Sequence, residues 1–187
     1  MYTYLKIIFN FKILFFFISS FILIQQAFAN ESKCLASKEV CKWTKKVVAI
    51  KTPTMVASGV ILSNNLIVTN RHVIEDSEVV LVRMPNKKII KAHSIANSHV
   101  ADIAFLSLSE TIPKLEINIK NTKPKSAIMV AFDIGRNDIR VFKEENIISY
   151  PEKDKPQARI HSLTHNLPGT SGGALIDNKG NLIGIIS

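Results

Sequence analysis

From Val47 onward, short runs rich in Ile and Val alternate with turn residues about every ten positions, a spacing that fits an all-β fold and little else. The expected strands of a first group are Val47–Lys51, Met55–Leu62, Leu66–Thr69, Glu78–Arg83, Lys88–Ile95 and Asp102–Leu108. Ser63-Asn64-Asn65 and Pro85-Asn86 supply turns between them. A polar, Pro-containing stretch, Thr111–Lys125, leads to a second group: Ser126–Phe132, Ile139–Lys143, Ile147–Tyr150, Ala158–Thr164, and a closing hairpin of Ala174–Ile176 with Leu182–Ile186. Only Val73–Asp76 reads as a helical turn. Two such groups predict two small antiparallel barrels or sandwiches, one over about residues 45–115 and one over about residues 125–187. With 47% hydrophobic residues and only seven Gly and seven Pro, the chain has enough apolar surface for a packed core, which excludes disorder, collagen and low complexity.

The first 29 residues read differently. Lys6 and Lys12 precede the apolar run Ile13–Ile24, broken only by Ser19 and Ser20, and Ala27-Phe28-Ala29 follows: a basic region, an apolar region and a small-x-small cleavage site in order. An uncleaved anchor is the alternative, since Ile7–Phe11 is also largely apolar. Asn10 and Lys12 interrupt that longer stretch, and the rest falls short of the roughly 20 residues needed to span a bilayer. The expectation is a signal peptide over residues 1–29 and an exported, periplasmic or secreted bacterial chain over 30–187, without stable membrane insertion after cleavage.

Of the 24 basic residues two lie in that signal, as do none of the 15 acidic ones, so 22 cations face 15 anions in the remainder. The lysines are scattered, without aromatic interleaving or a recognisable module, so no nucleic-acid partner is expected. Cys34 and Cys41 stand close together in a chain bound for an oxidising compartment. A local disulfide is expected, two unrelated thiols being the alternative. Two ligands make no zinc site, and no metal is expected.

Three of the seven glycines fall within Gly169-Thr170-Ser171-Gly172-Gly173, a clustering that marks backbone at positive φ or in close approach to something else. A serine there has an exposed hydroxyl with N–H groups beside it, although a Gly-rich turn before a hairpin explains the residues equally well. The same five residues fit the G-x-S-x-G nucleophile elbow, which needs a helix after the serine and a later acid and histidine. Here a hairpin follows, and His72, His93, His99, His161 and His165 all precede the serine, so the elbow fails. The opposite order, His then Asp then Ser, is met by His72 just past a buried strand, Asp102 leading into Ile103-Ala104-Phe105-Leu106, and Ser171. Singly, His72 could be a strand-end polar group and Asp102 a turn residue. Together, in this order on an all-β chain, they point to chemistry.

Ser58-Gly59-Val60-Ile61-Leu62 with Val68-Thr69-Asn70-Arg71-His72-Val73, Ala101-Asp102-Ile103-Ala104-Phe105-Leu106, and Gly169-Thr170-Ser171-Gly172-Gly173-Ala174-Leu175 with Leu182-Ile183-Gly184-Ile185 resemble the three active-site blocks of trypsin-like serine peptidases, closest to the bacterial HtrA/Deg type. The resemblance runs from about Val47 to Ser187. It implies two six-stranded antiparallel β-barrels of the chymotrypsin/trypsin-like fold with a cleft between them. It also implies His72 as general base, Asp102 as its orienting partner, Ser171 as nucleophile, and the N–H groups of Gly169 and Ser171 as the oxyanion hole. His165 would lie near the base of the S1 pocket, and Ser187 would begin the segment that meets substrate. No cofactor is implied, and the partner is a polypeptide substrate.

Thr170 departs from digestive relatives, whose acid at that place pairs with a new N-terminus, so activation by that route is not expected. The sequence shows no PDZ module after the catalytic segment and stops at Ser187, so the second barrel is expected to be incomplete. The leading expectation is an exported serine endopeptidase. The alternatives are a truncated, non-catalytic protease-fold protein that binds polypeptides without cleaving them, and a cationic surface-binding protein.

Overall fold

The computed structural model describes residues 34–151 and 159–187, and the signal-peptide reading of residues 1–29 lies outside them. Two one-turn segments open the described chain: α1 (Lys38–Cys41), whose N-cap Ser37 accepts the N–H of Val40, and a 3₁₀ turn over Lys42–Lys45. Six strands follow, β1 (Val47–Lys51), β2 (Val56–Ile61), β3 (Leu66–Thr69), β4 (Val79–Arg83), β5 (Ile89–Ser98) and β6 (Ile103–Leu108), with a single helical turn, α2 (Arg71–Ile74), between β3 and β4. They close on themselves in the order β1-β2-β3-β6-β5-β4, so no edge of this barrel is left unpaired. The second set is β7 (Ser126–Asp133), β8 (Asp138–Ser149), β9 (His161–Ser162), β10 (Ala174–Ile176) and β11 (Leu182–Ile185), a five-stranded sheet in the order β11-β10-β7-β8-β9. The fold is thus all-β, a closed six-stranded barrel with an open half-barrel beside it.

Side-chain alternation explains how the sheets stack. Successive strand residues point to opposite faces, so one strand can serve two cores. Val48, Ile50, Ile61, Ile67, Val80, Val82 and Leu106 fill the barrel. Val47, Val60 and Val68 turn outward from it and meet Ile128 and Val130 of β7, Ala174 and Ile176 of β10, and Trp43. The odd-numbered neighbours on β7, Ala127, Met129 and Ala131, face a third cluster with Leu175 and Ile186. Each fully buried Val or Ile contributes about 1.5–3 kcal/mol. Trp43 is wholly buried and satisfies its indole N–H on the carbonyl of Gly180, 3.0 Å away.

Several strand ends shift by one residue, β5 runs on to Ser98 rather than ending at Ile95, the helical turn expected at Val73–Asp76 lies at Arg71–Ile74, and two strands of the second group differ more. Ile139–Lys143 and Ile147–Tyr150 are parts of one twelve-residue strand, β8, because the intervening polar residues stay in the ladder: Glu144, Glu145 and Asn146 pair with Ile128, Ala127 and Ser126. The expected strand Ala158–Thr164 shrinks to His161–Ser162, with residue 158 outside the described ones. The stretch read as a linker also does more than connect. Leu182 donates its N–H to the carbonyl of Asn118 (2.8 Å) and accepts the N–H of Lys120 (3.2 Å), so the linker runs parallel to β11 at Ile119.

Candidate active site

The pairing of β3 with β6 sets Thr69 opposite Ala104, so the chain leaves β3 and enters β6 at the same end of the barrel. Asn70 is extended (φ −80°) and opens α2, which carries His72. Asp102 adopts φ +52°, a left-handed conformation that Asp tolerates better than most residues, just before β6. Its main-chain carbonyl accepts the N–H of Arg71 and the side-chain amide of Asn70, each at 3.1 Å. Its carboxylate accepts the His72 backbone N–H at Oδ1 (3.0 Å) and lies 2.8 Å from His72 Nδ1 at Oδ2. The Ser187 hydroxyl donates to the same Oδ2 at 2.9 Å. Burial opposes ionisation of Asp102, but the hydrogen bonds from His72 and Ser187 outweigh it and hold the carboxyl below its ordinary value. The imidazole is 44% exposed against 16% for the carboxylate, so the ring faces the solvent with the acid behind it. An imidazole that donates Nδ1–H to a carboxylate presents Nε2 as an acceptor.

Ser171 arrives from the other sheet, on the loop that enters β10. Thr170 donates its N–H to the carbonyl of Leu167 (3.1 Å), and the turn they close has Pro168 and then Gly169 at φ +95° in its centre, the signature of type II. Gly172 follows at φ +81°, and a Cβ there would stand 2.1 Å from the carbonyl oxygen of Ser58, so only glycine fits. Ser58 donates its N–H to the carbonyl of Ser171 (2.8 Å), and Gly172 donates to Ile186 (2.8 Å). Among the described residues nothing accepts the N–H of Gly169 or of Ser171.

His72, Gly169 and Ser171 line one cleft of about 540 Å³, together with Lys51, Met55 and Ile134. His72 and Ser171 share this cleft without hydrogen-bonding one another. A larger cavity of about 1080 Å³ is lined by Asn70, Ala101, Ile160 and Ser187 but by neither His72 nor Ser171.

The structure thus brings His72, Asp102, Ser171 and Gly169 to one place. His165 is not brought there: it is exposed and lines neither cavity, although its neighbours Thr164 and Asn166 line the larger one. Ser187, expected to face substrate, has its hydroxyl on Asp102 and accepts the Asn166 side-chain amide at its carbonyl (2.9 Å). Sequence reasoning missed that hydroxyl contact, since a serine at a strand end carries no motif. Neither cysteine is free among the described residues, and a Cys34–Cys41 disulfide remains the pairing we propose. Among the described residues no group of three or more His, Cys, Asp or Glu side chains could hold a metal.

Residues 57–185 match the family model described as the trypsin-like peptidase domain. The serine endoprotease DegS of Salmonella typhimurium is 29% identical over 136 residues, covering 68% of this chain and 38% of that protein. A probable periplasmic DegP-like serine endoprotease of Pseudomonas fluorescens is 30% identical over 148 residues, 70% of this chain and 28% of its own length. This chain therefore spans less than two fifths of either relative. Among solved structures, the HtrA-type protease AlgW with tripeptide superposes with a TM-score of 0.68 at 21% identity, covering 79% of this chain and 52% of that one. The inactive form of the Rv3671c protease superposes with a TM-score of 0.65 at 22% identity, covering 79% and 80%. At these identities the structural likeness is one of fold.

Proposed function

The chain belongs to the trypsin-like peptidase domain family, and on that premise we propose that it is an exported serine endopeptidase that hydrolyses polypeptides through an acyl-enzyme. The observation that carries the reading is the 2.8 Å contact of His72 Nδ1 with Asp102 Oδ2 beside a cleft that His72 shares with Ser171. A serine hydroxyl is a weak nucleophile near neutral pH, so His72 Nε2 takes its proton as Oγ attacks the substrate carbonyl. General-base help of this kind is worth about 10²–10⁴ in rate. Asp102 fixes the tautomer and stabilises the imidazolium that forms. The developing oxyanion is received by the N–H groups of Gly169 and Ser171, which are unengaged and therefore need not break a protein hydrogen bond first. One such donor is worth about 10²–10³ in kcat. His72 then returns its proton to the leaving amine, and water releases the acyl group from Ser171. No step draws on a metal or organic cofactor.

The polypeptide substrate is supported by the kind of protein that relatives are named for and by the tripeptide bound to AlgW. Export is supported by the layout of residues 1–29 and by the periplasmic assignment of the Pseudomonas relative. A fluorophosphonate probe should label the folded chain at Ser171 and fail to label Ser171→Ala, and a folded wild type that resists the probe would remove the peptidase reading. One observation favours a second reading, a binder that does not cleave: His72 and Ser171 make no hydrogen bond to each other. Apo sites often tighten only with substrate. The binder reading requires polypeptide binding without labelling, so the same experiment separates the two.

A further inference from the structure

Two buried hydroxyls converge on the backbone that carries the unengaged N–H groups. Ser58 of β2 is wholly buried; it donates Oγ–H to the carbonyl of Gly169 (2.6 Å) and accepts the N–H of Phe132 at the end of β7 (2.8 Å). Its own N–H holds the carbonyl of Ser171, and its carbonyl accepts the hydroxyl of Thr69 at 2.7 Å. Thr170, also buried, donates its hydroxyl to the carbonyl of Leu167 (2.7 Å), the same oxygen that accepts its N–H. The carbonyls of residues 167, 169 and 171 are therefore each held by a donor from Ser58 or Thr170. Neither Ser58 nor Thr170 lines the cleft.

The peptide unit is rigid, so where an N–H points is decided by the dihedrals on either side of it. Type I and type II turns differ by a flip of their central peptide. In the turn Leu167-Pro168-Gly169-Thr170 that flip exchanges the Gly169 N–H for the Pro168 carbonyl, turning an anion donor into an acceptor. Glycine offers little steric resistance to it. What opposes the flip is the set of contacts that fix the neighbouring carbonyls, and two of those contacts are hydroxyl donors from the buried residues Ser58 and Thr170.

We propose that Ser58 and Thr170 are positioning residues that hold the Gly169 and Ser171 N–H groups toward the cleft, so that the oxyanion site is set by hydroxyls of this chain itself. The inference rests on Ser171 being the nucleophile. Ser58 does this from the barrel while reading the position of β7, so it ties the donor turn to both sheets at once. Thr170 does it from within the turn.

The test compares the full chain as wild type, Ser58→Ala, Thr170→Val and Thr170→Ser, with fluorophosphonate concentration varied so that the saturating labelling rate and the half-saturating concentration are read separately, and folding followed by circular dichroism. Removing either hydroxyl should lower the saturating rate about tenfold or more, leave the half-saturating concentration within about threefold, and leave the shape of the pH–rate profile unchanged. Thr170→Ser, which keeps the hydroxyl, should stay within about threefold of wild type. A loss of fold would show in the circular dichroism spectrum, whereas a loss of positioning lowers the saturating rate of a folded chain. The inference is overturned if folded Ser58→Ala and Thr170→Val label within twofold of wild type, or if Thr170→Ser is as slow as Thr170→Val. Should Ser58→Ala not fold, the Thr170 pair decides. A wild type that does not label removes the peptidase reading and this inference with it, whereas a labelling wild type with indifferent variants removes only this one.

Discussion

Asp102 accepts hydrogen bonds on both carboxylate oxygens while its neighbour His72 stays open to solvent. Replacing it with Asn keeps the shape and removes the acceptor that selects the Nδ1–H tautomer, so Asp102→Asn should lower kcat by about 10⁴ with the fold retained. Steady-state hydrolysis by the variant, beside its circular dichroism spectrum, checks this; a loss below about tenfold would mean that the acid does not orient the ring. His72, Asp102, Ser171 and Gly169 were all legible in the sequence, because each sits in a short motif whose residue types have few other uses in that order. Ser187 and Ser58 were not legible in their contacts. A serine's partner is decided by which strand happens to lie across from it, and nothing local encodes that. His165 shows the converse, a histidine at a suggestive spacing that is exposed and lines neither cavity.

At the scale of elements, the short strands of the barrel were readable because Ile and Val alternate with residues that face out, as in β4. β8 was not, since Lys143-Glu144-Glu145-Asn146 puts polar residues on both faces in a row and the ladder with β7 carries the strand through them. The hairpin that follows Ser171 is held by its turn. Asp177 accepts the N–H groups of Lys179 (3.0 Å) and Asn181 (2.8 Å) at Oδ1 and the Asn181 amide at Oδ2 (2.7 Å). Burial opposes its ionisation, and these hydrogen bonds prevail, holding the carboxyl below its ordinary value. A depressed carboxyl stabilises the fold above the unfolded-state value near 3.9 and loses that contribution as pH falls through the folded one. Asp177→Ala should therefore cost about 2–3 kcal/mol at neutral pH, and the gap to wild type should narrow toward pH 3. Urea unfolding at the two pH values measures both, and a gap constant with pH would show that the charge of Asp177 adds nothing.

Over the whole molecule, the two strand groups and the polar stretch between them were visible as a pattern, but their docking was not. It depends on Val47, Val60 and Val68 facing away from their own barrel toward β7 and β10, and periodicity marks such residues as apolar without saying which core receives them. That docking decides how the site is assembled. His72 and Asp102 come from the closed barrel, while Ser171 and Gly169 come from the loop beside the open sheet, with Ser58 bonded across to it. Neither half alone holds the residues that the proposed mechanism uses. If the polypeptide is divided between the exposed residues Thr122 and Lys123, the piece bearing Ser171 should ignore a fluorophosphonate when alone and react once the piece bearing His72 is supplied. Reaction by the isolated Ser171 piece would count against this. On the proposed mechanism, hydrolysis is a logical conjunction, an output given only while two halves of one compact unit stay in register.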